Sequence, residues 1–200
     1  MHDEEEALDV GVPQSEPAVV RGPRVVVAVD GSAGSKAALR FALEDAARRG
    51  VPVEAVIAYR VPAEMWVDFH GIGLHELDRL RGTLRSQHED KVRAVADEVA
   101  RGLAGPPPDV QVRSAEGSPA DVLIRESQGA DLLVMGSRGH GGFHTMLLGS
   151  TSMQCVLHAT CPVTVVHSTE ARRHRLRLHR ERQEQQRGGV GELSQTGPPR

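Results

Sequence analysis

A chain of 200 residues and 21.6 kDa has room for one domain with tails or two small domains. The net charge of -3 hides an asymmetry: residues 1–21 hold six acids and one arginine, residues 169–200 hold eight arginines and four glutamates, and the span between is nearly neutral. That neutral middle, 2 % aromatic content and two cysteines argue against a nucleic-acid binder, a base-stacking platform and a disulfide scaffold.

No run approaches the roughly 18 apolar residues of a membrane span, and the acidic start is unlike a signal peptide. A cytoplasmic location is the expectation. Residues 1–22, acidic and broken by Gly11, Pro13 and Pro17, are expected to be a disordered tail. Order should begin near Arg24, where Val25–Val29 forms a continuous β-branched run suited to a strand buried on both faces. A helix is predicted over about 33–49, capped by Ser32 or Ser35 and stopped at Gly50. Residues 53–59 read as a second strand, and 60–74, with Pro62, Trp66, Gly71 and Gly73, as a long loop.

A long helical pattern spans about 75–103, weakened at Gly82 and ended by Gly105-Pro106-Pro107-Pro108. Val110–Ser114 alternates like a strand. Ser118-Pro119 with Asp121 marks a helix start, with Ser118 as cap and an end near Gly129. Residues 130–135 read as a buried strand, about 150–159 as a helix and 162–167 as the last strand. The alternation predicts an α/β fold: a doubly wound five-stranded parallel sheet with helices on both faces, over residues 23–168. Residues 169–200 are expected to be a basic, then polar, mostly disordered tail.

Ligands of such sheets sit beyond the carboxyl ends of the strands. Two loops there carry the chemistry. One is Asp30-Gly31-Ser32 after the first strand. The other, 136–149, holds five glycines in fourteen residues and leads into Ser150-Thr151-Ser152. Glycines admit close backbone approach and positive φ, and the following helix offers unpaired N–H groups, so the segment reads as a phosphate cradle or, more plainly, as a flexible loop with a capped helix. A branched side chain at Gly149 is expected to fill such a cradle. The Walker A and dinucleotide glycine patterns are both absent.

The spacing Gly136-x2-Gly139-x9-Gly149-Ser150 resembles the complete signature of the universal stress protein family. So do Val27-Ala28-Val29-Asp30-Gly31-Ser32 near the start and Cys161-Pro162-Val163-Thr164-Val165-Val166 near the end. The resemblance spans about residues 23–168. It implies a homodimer that binds ATP, with Mg²⁺ as companion, and acts as a stress-response regulator or sensor through protein partners. Carried over by position, Asp30, Gly31 and Ser32 would face the nucleoside. Ala58 would line the adenine, where a valine is common, and Met135 would stand among the cofactor-binding residues. Gly136, Gly139 and Gly149 would let the chain wrap the ribose and phosphates, Arg138 within the motif would add charge or else point to solvent, and Ser150, Thr151 and Ser152 would bond phosphate oxygens. The last strand, through Val163 and Val165, is expected to form the dimer edge.

Asp30 also has a plainer reading, as the group that caps the helix after it. No P-loop lysine and no evident base for phosphoryl transfer is present, so catalysis is not expected. The alternatives are a slow ATPase or adenine-nucleotide hydrolase, and a dimeric regulator that binds no nucleotide. Neither His140/His144 nor His70/His75 is expected to bind metal. Cys155 and Cys161 are expected to pack as small apolar groups. Trp66 is expected to cap a local cluster, and the basic run 172–182 to be solvated.

Overall fold

The computed structural model describes residues 22–61, 74–139 and 148–168. Trp66, His70, His140, His144, the side chain of His75 and both terminal segments lie outside the described residues.

The elements alternate in chain order: β1 (Val25–Ala28), α1 (Ala33–Arg49), β2 (Val53–Tyr59), α2 (Leu74–Ala100), β3 (Val110–Glu116), α3 (Pro119–Glu126), β4 (Leu132–Gly136), α4 (Ser150–His158) and β5 (Val163–Val166). All neighbouring strands pair in parallel, in the order β3-β2-β1-β4-β5. The sheet winds outward from β1 in both directions, so the switch point lies between β1 and β4.

Local chemistry explains most boundaries. Ser32 caps α1, its hydroxyl accepting the Ser35 N–H at 3.1 Å, and Gly50 ends the helix in the left-handed region. β3 runs two residues past the expected Ser114, because the β2 ladder carries it on: Tyr59 pairs with Glu116, and the Gly117 N–H donates to the Tyr59 carbonyl. At α3 the expected serine cap is absent. Ser118 makes no side-chain cap bond, and the start is specified by Pro119 and the acid Asp121 in the first turn. That helix also stops at Glu126, before Gly129, where the Ser127 hydroxyl donates to the Ile124 carbonyl.

Two cores follow from the strand period of two. Val25, Val27, Val53, Ala55 and Val134 face α1 and α2, packing on Ala38, Leu39, Ala42, Leu43 and Val92. Val26, Val56, Leu133 and Met135 face α3 and α4, packing on Val122, Leu123 and Cys155. Cys155 is sealed, and burial, with Asp121 and Cys161 nearby, raises its thiol pKa to about 11. It is a packing group without thiolate character at neutral pH. No described helix is long and apolar enough to cross a membrane.

At the amino ends of the strands lies a buried ionic cluster. Arg24 is 6 % exposed and Glu54 4 %. The Arg24 guanidinium donates to Glu54 at 2.8 Å and to the Glu126 carbonyl at 2.8 Å, tying β1 and β2 to the end of α3. Arg113 reaches the Glu126 carboxylate at 2.8 Å and lies 4.0 Å from Glu54. Breaking one partner of a buried pair strands the other charge. Arg24→Met is therefore expected to cost about 3 kcal/mol, read as a lower urea midpoint. A midpoint equal to the parent's would show that Arg113 alone satisfies Glu54.

Candidate functional site

A cleft of about 340 Å³ opens at the carboxyl ends of the strands, over the switch point. The turn after β1 supplies Asp30 and Ser32, and the first turn of α1 Ser35; β2 supplies Val56, Ile57 and Ala58; β4 and its loop supply Met135, Gly136, Arg138 and Gly139; α4 supplies Ser150, Thr151 and Ser152 behind Gly149. Of the residues that the sequence singled out for a ligand, Gly31 alone does not line this space.

Gly31 shapes the cleft from behind. Its φ of 89° lies in the left-handed region, which turns the chain sharply between β1 and α1. Asp30 holds that turn, its Oδ1 accepting the Ser32 N–H at 2.9 Å, and the Ser35 hydroxyl accepts the Gly31 N–H at 3.0 Å. The turn therefore uses one carboxylate oxygen of Asp30. The other lies against Gly139, where a Cβ would stand 2.6 Å from it.

The signature glycines act by lacking a side chain. None of Gly136, Gly139 and Gly149 has a positive φ, so of the two properties expected of the loop's glycines, close approach and positive φ, the second is not used at these three. A Cβ on Gly136 would stand 2.7 Å from the Gly34 carbonyl carbon, and one on Gly34 2.6 Å from the Arg138 carbonyl oxygen. Gly34 and Gly136 thus let the first turn of α1 rest on the end of β4. Gly149 differs. Its φ is −70°, and a Cβ would make only ordinary contacts, the nearest at 3.5 Å to the Ser137 carbonyl. The fold does not require glycine there.

The two ends of the cleft differ in chemistry. At one end, the ladder between β1 and β2 stops with the Val29 N–H donating to Val56 at 2.8 Å. Odd-numbered residues of β2 bond β3, as the Gly117 to Tyr59 bond shows, so even-numbered ones face β1. The N–H and C=O of Ala58 therefore point past the end of β1, with no main-chain partner among the described residues. Ile57, Met135, Pro119 and Leu123 give this end apolar walls. No local pattern marks Pro119 and Leu123 as lining residues, because only packing brings α3 over the strand ends.

At the other end stands the amino terminus of α4, with no acid in its first turn. Its unpaired N–H groups favour an anion. Ser150 and Thr151 keep uncommitted hydroxyls among the described residues, whereas the buried Ser152 donates to the Gly136 carbonyl at 2.9 Å. Ser152 therefore holds α4 to β4, and its hydroxyl hydrogen is unavailable to a phosphate. Half-buried Arg138 makes no ion pair among the described residues. Oxygen donors of the kind that Mg²⁺ prefers are present in Asp30, Ser150 and Thr151. They suit a cation held largely by the phosphates of a ligand.

The model of the universal stress protein family matches residues 23–167. A universal stress protein of Mycolicibacterium smegmatis is 36 % identical over 144 residues, which cover 71 % of this chain and 45 % of the relative. One of Mycobacterium tuberculosis is 31 % identical over 149 residues, 74 % of this chain and 48 % of the relative. The chain spans about half the length of these curated relatives. Among solved structures, MJ0577 matches with a TM-score of 0.57 at 18 % identity, over 74 % of this chain and 97 % of that one. A universal stress protein solved in complex with cAMP matches at 0.52 and 23 % identity, over 74 % of this chain and 98 % of that one. These likenesses establish the fold.

The glycine contacts separate fold from binding. Gly34→Ala must displace the Arg138 carbonyl and is expected to lose about 1–3 kcal/mol, the range for overpacking. Gly149→Ala is expected to unfold at the parent's temperature. Thermal unfolding of both variants checks this, and equal melting would remove the close approach as a constraint.

Proposed function

The chain belongs to the universal stress protein family, and on that premise we propose that it binds ATP in the cleft and acts as a nucleotide-dependent regulator through protein partners. The observation that carries this reading is the two-ended cleft: an apolar slot with an open backbone edge at one end and a helix amino terminus at the other. Ala58 C=O would accept from the adenine amino group, and Ala58 N–H would donate to the adjoining ring nitrogen. Guanine presents the opposite polarity on those two positions. Ser150, Thr151 and the α4 N–H groups would take phosphate oxygens, and Arg138 would add charge. Asp30 would face the ribose through the oxygen beside Gly139. Bound Mg²⁺ would neutralise phosphate charge, with Ser150 and Thr151 as the protein's oxygen donors.

The same reading extends to assembly. β5 lies at an open edge of the sheet. Pro162 and Val166 accept bonds from β4, so the N–H and C=O of Val163 and Val165 face outward. Met153, Val156 and Leu157 on the neighbouring α4 are exposed. We propose that a second copy covers this edge.

Calorimetric titration tests the nucleotide reading. ATP is expected to bind at least tenfold more tightly than GTP, as the loss of one or two paired polar groups would give. Gly149→Val should keep the fold and lose ATP, because the branched side chain enters the phosphate loop. No binding at millimolar ATP would overturn the reading. Sedimentation tests the edge: Val165→Pro removes an outward N–H without touching the β4 ladder, and it should leave a folded monomer. A folded dimer would exclude β5 as the interface.

A further inference from the structure

We propose that Ser35 is a positioning residue of the cleft: its buried hydroxyl holds the Asp30 carboxylate in one orientation, and so makes the site discriminate nucleotides by their ribose hydroxyls. The proposal rests on the nucleotide reading above. It deepens that reading by giving the ribose side of the site a determinant outside the glycine signature, on a side chain that acts through its neighbour.

The first support is the bonding of the Ser35 hydroxyl. Ser35 lines the cleft yet is only 4 % exposed. Its Oγ accepts the Gly31 N–H at 3.0 Å and donates to the Ser32 carbonyl at 3.0 Å. A hydroxyl has a single hydrogen to give, so this one is used inside the turn and is closed to a phosphate. The Gly31 N–H belongs to the rigid peptide plane that begins at Asp30. Held to α1 through Ser35, that plane fixes the direction in which the Asp30 side chain leaves the turn. The Ser32 N–H then takes Asp30 Oδ1 at 2.9 Å, which sets the carboxylate from one side.

The second support comes from the opposite side. Asp30 Oδ2 faces Gly139, where a Cβ would stand 2.6 Å away. The carboxylate therefore stands between two walls, the turn braced by Ser35 and the loop after β4. A carboxylate oxygen accepts more than one hydrogen bond, so Oδ2 can take a ribose hydroxyl where it stands. A group already held in place loses little freedom on binding, which is what discrimination between similar ligands requires. The start of α1 does not need the Ser35 hydroxyl. Its cap is the Ser32 Oγ, which accepts the Ser35 backbone N–H at 3.1 Å, and the Ser32 carbonyl also accepts the Lys36 N–H at 3.0 Å. Helix cap and carboxylate brace can thus be removed separately.

The test compares ATP with 2′,3′-dideoxy-ATP, which has the same base and phosphates, by calorimetry on the full chain. The parent should bind ATP roughly tenfold more tightly, as one hydrogen bond to a charged group gives. Ser35→Ala should keep the fold and lower that ratio severalfold, through ATP more than through the dideoxy analogue. Ser35→Cys, close to serine in shape but weak in hydrogen bonding, should do the same and serves if the alanine variant does not fold. In an Asp30→Ala background, Ser35→Ala should leave the ratio where Asp30→Ala puts it, because the serine acts only through that carboxylate. A ratio unchanged by the Ser35 substitutions overturns the proposal. So does an equal loss of both nucleotides, the mark of a merely structural role. Equal binding of the two by the parent overturns it as well, and leaves the nucleotide reading standing. A parent that binds neither overturns both.

Discussion

The contact on which the site depends is the approach of two glycines. Gly34, in the first turn of α1, lies so close to Gly136, at the end of β4, that a methyl group on either would meet backbone. β1 and β4 are neighbours on either side of the switch point, and the sheet's twist opens a crevice between their outgoing loops. With α1 seated on the end of β4, the Asp30 turn and the Arg138 loop converge on one side of that crevice. Ser152 then ties α4 to the same residue, Gly136, through its carbonyl. One point in the chain therefore sets the position of three loops.

The rest of the fold holds that point still. The strands in the middle of the sheet are buried on both faces, and the two cores press on it from opposite sides. The buried Arg24 cluster fixes the other end of the sheet, where β1, β2 and the end of α3 meet. Stability and binding chemistry thus sit at opposite ends of the same strands. The cleft can carry open backbone groups, as at Ala58, because packing elsewhere compensates for them.

Element identity was largely legible in the sequence because it follows from local periods. Val25–Val29 and 130–135 are continuous β-branched or apolar runs too short for helices, and Ser32 and Gly50 punctuate α1 as their chemistry demands. β3 was expected to stop at Ser114, but a strand's length is decided by its partner, and Tyr59 carries the ladder to Glu116. Ser118 carries a capping side chain that makes no cap bond, because Pro119 and Asp121 already specify the start. By sequence Ser152 reads as a phosphate donor like Ser150 and Thr151. Helical rotation turns it inward, to the Gly136 carbonyl.

The sequence alone determined the parallel α/β architecture, the family resemblance and the two loops that flank the cleft, since each rests on short-range patterns of residue type. Tertiary structure decided the roles within those loops. Glycine spacing could not tell that Gly136 is needed for close approach to backbone, that Gly139 lies against the Asp30 carboxylate, and that Gly149 is sterically free. That difference depends on atoms from α1 and from the Asp30 turn, about a hundred residues earlier in the chain. Pro119 and Leu123 reach the cleft only because α3 packs across the strand ends. β5 also ends beside the glycine loop, its Val166 carbonyl accepting the Ser137 N–H, and that meeting likewise depends on strand order. Parallel pairing of β4 and β5 brings their carboxyl ends together, and no local run of residues encodes that neighbourhood.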